Sequence, residues 1–279
     1  MRPTKAIIPV AGYGTRRLPV SKALEKCMLP VLNRPIVDYI VKDCIQAGIK
    51  EFYFVVNQGT TQLKAYYQRD PTLEAYLKRN HKEGLLPLVT PPQDCTFHFV
   101  EQPVDKDYGT TVPVWLCREF IKPGENMLVI MGDQFFLNRD GQSEAACFLE
   151  TATKPGMPAS AMLAVEVPHK DVSKYGIVST KPHDGYELYG HIVEKPSVDE
   201  APTNLNNASF YLFDYKVFEF LEAGMRKLNH GEYYIIDVLN DYAAAGNNVA
   251  VIRNHGEYLD CGNTEGWLRA NNTLNTAKI

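Results

Sequence analysis

Lys5-Ala6-Ile7-Ile8-Pro9-Val10-Ala11-Gly12-Tyr13-Gly14-Thr15-Arg16 is the stretch from which the rest of the chain can be read. Ala6 to Val10 is a short apolar run that halts at Ala11-Gly12-Tyr13-Gly14, the pattern of a buried strand ending in a tight loop. Glycines in that loop let the main chain approach a ligand closely and turn its N–H groups toward phosphate oxygens. Behind them stand the hydroxyl of Thr15, the planar cation of Arg16 and the point charges of Lys22 and Lys26. The dinucleotide fingerprint needs a further glycine where Arg17 stands, and the P-loop needs Gly-Lys-Ser/Thr at that same place. The loop therefore reads as a phosphate-binding turn of another kind, set against a plain strand-to-helix turn with solvated cations.

Outward from that loop, strand and helix alternate. Ile36, Ile40, Val41, Cys44 and Ile45 recur at helical spacing after Pro35, and Gly48 closes the helix. The pattern predicts strands over 52–56, 96–100 and 127–131, with helices around 61–68, 72–82 and 112–121. Such alternation through residue 135 implies an α/β fold with a doubly wound, mainly parallel sheet, whose ligands sit beyond the carboxyl ends of the strands. The second half reads as strands over 161–167, 177–180, 186–193 and 208–213, then helices over 215–228 and 234–245. A strand over 248–253 and a helix over 264–276 finish the chain. With no Ser/Gly-rich linker and no repeat, the expectation is one continuous domain over 1–279 whose second half adds strands to the same sheet.

Composition narrows the function. The 279 residues are 45% hydrophobic and 22% charged, ordinary values for a soluble globular protein. A net charge of -4 and the lack of any Lys/Arg run argue against nucleic acid as a partner. There is no apolar run long enough for a signal peptide or a membrane span, so no membrane partner is expected. Six scattered cysteines show neither a CxxC pair nor zinc-ligand spacing, as in a reduced, cytoplasmic protein.

Four further motifs carry candidate chemistry. Asp133, in Met131-Gly132-Asp133, follows a buried strand and points either into the crevice or into a turn. Asp260 lies in Leu259-Asp260-Cys261-Gly262 just before the last helix, where an ordinary helix-start residue is the competing reading. Glu194-Lys195-Pro196 ends a strand and offers a carboxylate for hydroxyls and an ammonium for phosphate, or else a surface ion pair. Gln102 carries a donor and an acceptor that match a pyrimidine edge, and otherwise is a polar loop residue.

Taken together, Val10-Ala11-Gly12-Tyr13-Gly14-Thr15-Arg16, Lys22 and Lys26-Cys27-Met28-Leu29-Pro30-Val31 resemble the signature of the sugar-phosphate nucleotidyltransferases, most closely the bacterial branch that joins UTP to glucose 1-phosphate. The resemblance implies a Rossmann-like mixed sheet of the nucleotide-diphospho-sugar transferase, GT-A-like kind, with a nucleotide-binding half over about 1–135 and a sugar-binding half over 136–279. It implies that Ala11, Gly12, Gly14 and Thr15 hold the nucleotide and that Gln102 and the Gly109 backbone read the base. Tyr175, Gly176, Glu194, Lys195 and Asn206 would hold the sugar phosphate, with Asn204, Glu232 and Asp237 in neighbouring motifs. Arg16, Lys26 and Lys195 would be catalytic, and Asp133 and Asp260 would bind Mg2+. Two carboxylates about 4 Å apart repel by roughly 4 kcal/mol at an effective dielectric of about 20, a penalty that a divalent ion removes.

The implied reaction is an in-line displacement at the α-phosphorus that releases pyrophosphate, and the implied assembly is a homo-oligomer, dimer or tetramer. Glu25 replaces the family's proline beside Lys26, where it is expected to compete for that charge. Asp107-Tyr108-Gly109-Thr110-Thr111 and Ser209 also depart from the pattern. These departures leave two rivals: a non-catalytic regulatory paralogue, and a thymidylyl- or cytidylyltransferase acting on another sugar phosphate.

Overall fold

The computed structural model describes residues 2–103, 109–227 and 232–277. Its strands are β1 (Lys5–Pro9), β2 (Pro30–Val31), β3 (Arg34–Pro35), β4 (Glu51–Asn57), β5 (Thr96–Gln102), β6 (Asn126–Ile130) and β7 (Gln134–Leu137). They continue as β8 (Ser160–Glu166), β9 (Gly176–His183), β10 (Tyr186–Glu194), β11 (Leu205–Asp214), β12 (Val249–Arg253) and β13 (Glu257–Asp260). The helices are α1 (Ile36–Gln46), α2 (Gln62–Tyr66), α3 (Pro71–Arg79), α4 (Leu86–Val89) and α5 (Thr111–Leu116). After them come α6 (Glu144–Ala152), α7 (Val217–Lys227), α8 (Ile235–Ala244) and α9 (Thr264–Ala277).

Nine strands form one sheet in the order β5-β4-β1-β6-β11-β8-β12-β10-β9. The first four are parallel, β11 joins β6 antiparallel, and β9 and β10 form an antiparallel pair at the far edge. The sheet is thus mixed and Rossmann-like, and the second half does extend the first. Successive residues face opposite layers, as strand geometry requires. Ala6, Ile8, Phe52, Phe54, Leu128 and Ile130 pack into one core, while Ile7, Tyr53, Val55, Met127 and Val129 pack into the other. Burial on both faces is why these strands read as unbroken apolar runs rather than alternating ones.

Several features depart from the sequence reading, among them the short helix α4 and the β2–β3 pair. The helix expected over 112–121 is only α5, followed by a tight 3-10 turn at Arg118–Phe120. A strand pair, β7 with β13, and the helix α6 were not foreseen. Ser143 caps α6 by accepting the Ala146 N–H at 2.9 Å, and Asp43 of α1 accepts the Ala145 N–H at 2.9 Å. The β7–β13 ribbon pairs Gln134 with Asp260 and Phe136 with Tyr258, and it lies apart from the main sheet.

Candidate active site

A cleft of about 470 Å³ opens at the carboxyl ends of β1, β5 and β6. The phosphate loop supplies Ala11, Gly12, Arg16 and Lys26 to its wall, and Gln102, Gly109, Asp133 and Ser209 line it from other elements. Gly14 and Thr15, expected to hold the nucleotide, do not line it. Gly14 takes φ 63, a left-handed turn that glycine tolerates, and its carbonyl accepts the Ser21 hydroxyl at 2.8 Å.

Asp133 reaches the cleft because β6 ends tightly against β1. A Cβ on Gly132 would fall 2.3 Å from Val10 Cγ1, so only glycine permits the approach. The Lys26 ammonium forms an ion pair with Asp133. Across the ribbon, the Cys261 N–H donates to the Asp133 carbonyl at 2.9 Å, which sets Asp260 beside Asp133. The closeness of the two carboxylates shows at Gly262, where a Cβ would lie 2.8 Å from Asp260 Oδ1 and 3.5 Å from Asp133 Oδ2. Burial raises the Asp260 pKa, the Gly262 N–H bond opposes this, and the charge of Asp133 raises it further. The expected convergence of the pair is therefore present.

Two hard oxygen donors held side by side fit a hard divalent cation. Among the described residues no cluster of three or more His, Cys, Asp or Glu side chains gathers to hold a metal. Magnesium sites with one or two carboxylates complete their shell with water and substrate phosphates, and this pair suits that pattern.

The sugar-side residues form a second group. Glu194 pairs with Gly176 across β10 and β9, and its Oε1 would lie 2.7 Å from a Cβ at Gly176. The Lys195 N–H donates to the Tyr175 carbonyl at 2.9 Å, and Lys195 takes φ 47, turning the chain sharply after the strand. Glu194 and Lys195 are exposed, free to meet a ligand. Asn206 is buried beside Tyr258, whose hydroxyl donates to Gln134 Oε1 at 2.6 Å. That chain of contacts links β11 to the acid ribbon. None of Tyr175, Gly176, Glu194, Lys195 or Asn206 lines the main cleft. Tyr234 does, and its hydroxyl pKa is raised by the bond to Glu232 first, then by burial and nearby acids that include Glu194.

Unpaired buried atoms mark where a ligand would be read. Among the described residues Gln102 Oε1 and Gln134 Nε2 have no partner though buried, and both residues line the cleft. Such orphans are uncommon in folded proteins and point to a missing partner. Gly109 takes φ 123, and a Cβ there would lie 2.2 Å from the Tyr233 carbonyl.

Glu25 corrects its expectation. Its carboxylate accepts the N–H groups of Thr61 and Gln62 at 2.9 Å each and of Leu63 at 3.2 Å. It caps α2 instead of competing for Lys26. Ser209 takes φ 49, a left-handed conformation in which a glycine would be unstrained. Asp107 and Tyr108 lie outside the described residues. Sequence reasoning passed over Gln134, Tyr234 and Arg17. Arg17, next to the favoured Arg16, is the buried one of the two and donates to the Cys261 carbonyl at 2.6 Å. The doubled arginine was the only signal for it.

The nucleotidyl transferase family model matches residues 5–277, and the chain belongs to that family. It is 30% identical over 273 residues to the UTP–glucose-1-phosphate uridylyltransferase of Pseudomonas aeruginosa, covering 96% of this chain and 94% of that one. A UDP-glucose pyrophosphorylase from Acinetobacter baumannii superposes with a TM-score of 0.87 at 28% identity, covering 98% of this chain and 93% of that one. A UTP-bound UGPase from Acinetobacter baumannii gives a TM-score of 0.85 at 26% identity, covering 97% and 93%. The chain is an enzyme that transfers a nucleotidyl group from a nucleoside triphosphate to a sugar 1-phosphate.

Proposed function

We propose that the nucleotide is UTP and the acceptor glucose 1-phosphate, so that the products are UDP-glucose and pyrophosphate. The observation that supports a pyrimidine nucleotide is the unpaired Gln102 Oε1 in the cleft, while the Asp133–Asp260 pair with Lys26 supports the transfer itself. The names borne by the relatives support the uridylyl branch.

In the proposed reaction an oxygen of the sugar phosphate attacks the α-phosphorus, and the bond to the bridging oxygen of pyrophosphate breaks. Positioning and charge neutralisation supply the catalysis, with no covalent intermediate required. Arg16 and Lys26 neutralise the triphosphate, and Lys195 holds the sugar phosphate while Glu194 accepts sugar hydroxyls. Gln102 Oε1, which lines the cleft with Gly109, would accept the N–H of a uracil edge. Asp133 and Asp260 would hold Mg2+, which when bound stabilises charge on the reacting phosphates.

No helix among the described residues is long and apolar enough to cross a membrane, and all six cysteines are free, which supports a cytoplasmic enzyme. We carry forward a homo-oligomer, dimer or tetramer, which light scattering reads directly.

The test is pyrophosphate release with Mg2+, crossing the four nucleoside triphosphates with several sugar 1-phosphates. Release greatest with UTP and glucose 1-phosphate is the expected result. A different best pair would move the substrate, and no release from protein that binds a nucleotide-sugar would favour a regulatory role. Lys195→Ala is expected to raise the Michaelis constant for the sugar phosphate and cut turnover, and an unchanged rate would overturn that assignment.

A further inference from the structure

We propose that Gln134 reads the acceptor sugar, its amide turned by Tyr258 so that a lone N–H2 donor meets a sugar hydroxyl oxygen. The proposal rests on the sugar lying at the ribbon end of the cleft.

Gln134 follows Asp133 at the start of β7 and is only 6% exposed. It lines the cleft, and its Nε2 has no partner among the described residues. The other end of the amide is held. In the β7–β13 ribbon Gln134 stands opposite Asp260, and Phe136 opposite Tyr258. Alternate residues of a strand share a face, so these four side chains lie on one side of the ribbon. There the Tyr258 hydroxyl donates to Gln134 Oε1 at 2.6 Å. The Tyr258 ring packs on Phe136 with centroids 5.4 Å apart, and Arg269 donates to the Tyr258 carbonyl at 3.0 Å. Asn206 of β11, itself buried, hydrogen-bonds the same hydroxyl.

A glutamine amide can present either an acceptor or a donor. With Oε1 committed to Tyr258, the N–H2 group alone is left for a ligand, and the atom it meets must be an acceptor. Tyr258 is thus a positioning residue and Gln134 the one that touches substrate.

Place in the fold selects the sugar. Gln102, suited to the base, ends β5, and the order β5-β4-β1-β6 sets it three strand spacings, about 14 Å, from β6 and the turn into Gln134. Arg16 and Lys26, suited to phosphate, belong to the loop after β1. Gln134 is joined instead, through Tyr258, to Asn206 of the sugar-side group. A smaller opening of about 10 Å³ also borders Gln134, together with Asp43 and Phe210, and has room for about one water. Such a water is the competing partner for Nε2.

The experiment measures kcat/KM at saturating UTP and Mg2+ for glucose 1-phosphate and its 2-, 3-, 4- and 6-deoxy forms. Wild type is compared with Gln134→Met, Tyr258→Phe and the double variant, substitutions that nearly keep side-chain volume. Wild type is expected to lose about tenfold or more on one deoxy form, where the donor is left unpaired. Gln134→Met should treat that form and its parent alike, to within about twofold. Tyr258→Phe frees the amide to turn, so it should raise the KM for the sugar phosphate, blunt the discrimination and leave the KM for UTP unchanged. It should add nothing in the Gln134→Met background, whereas a merely structural Tyr258 would carry its loss into the double variant. Full wild-type discrimination in Gln134→Met overturns the proposal, as the water partner would predict. Indifference of wild type to every deoxy form overturns it too, and so does an equal Tyr258→Phe loss in both backgrounds. If another sugar 1-phosphate is the better substrate, the deoxy series is made from that sugar. The choice of glucose then fails while Gln134 is still tested.

Discussion

The phosphate loop and the acid ribbon meet through the Lys26–Asp133 ion pair and the Arg17–Cys261 bond but are built by opposite means. The loop is local: residues 12–28 turn through three short 3-10 helices and present Arg16 and Lys22 to solvent. The ribbon is assembled from distant segments, and the Tyr258–Gln134 bond spans 124 residues of sequence. The exposed loop charges, Arg16 and Lys22, can move to meet a substrate, whereas Arg17 in the same loop is buried. The charges on the ribbon are held by strand pairing, by the Cys261–Asp133 main-chain bond and by Arg17. Preorganised charge is what in-line phosphoryl chemistry asks of a site, and the ribbon supplies it.

The comparison is broken most severely at the ribbon. Asp133→Ala or Asp260→Ala is expected to lower turnover by about 10²–10³-fold while the protein stays folded, read by pyrophosphate release and circular dichroism. Losses below about tenfold would mean that the ribbon's charge is not part of the chemistry.

A middle effect belongs to the segment that closes the cleft on the base side. Gly109→Ala must displace the Tyr233 carbonyl, which also accepts the Thr111 N–H at 3.2 Å. We expect about 1–3 kcal/mol lost in denaturant unfolding and a raised Michaelis constant for the nucleotide triphosphate. Retained stability with unchanged kinetics would show that the segment adapts freely.

The smallest effect falls on the loop. Glu25→Ala removes the acceptor for three amides of α2 and is expected to cost about 1 kcal/mol of stability. Nucleotide affinity should barely change, since Glu25 does not engage Lys26. A marked gain in affinity would restore the competition expected from the sequence alone.

Legibility followed the same division. The apolar runs of β1, β4 and β6 are buried on both faces, so their identity is written in consecutive residues. The loop could be read because its glycines and cations sit within a few positions of each other. The ribbon could not. Gln134–Leu137 and Glu257–Asp260 are four residues each, too short for periodicity to register, and each makes sense only beside the other. The aspartates themselves were found through the family resemblance, while the structure supplied how they meet. Arg17 stayed hidden because its partner is a backbone carbonyl, which no side-chain pattern announces. Glu25 was misread for the related reason that its partners are backbone amides of a helix further along the chain.

The central claim is that Asp133 and Asp260, brought together by the ribbon, act as one unit. A double-mutant cycle on turnover tests it most directly, comparing Asp133→Ala, Asp260→Ala and the double variant under saturating Mg2+ and substrates. If the pair works together, the double variant loses no more than the worse single variant, because the first substitution already disables the unit. If the two losses multiply, the aspartates act independently, and the account of a shared cation site is wrong.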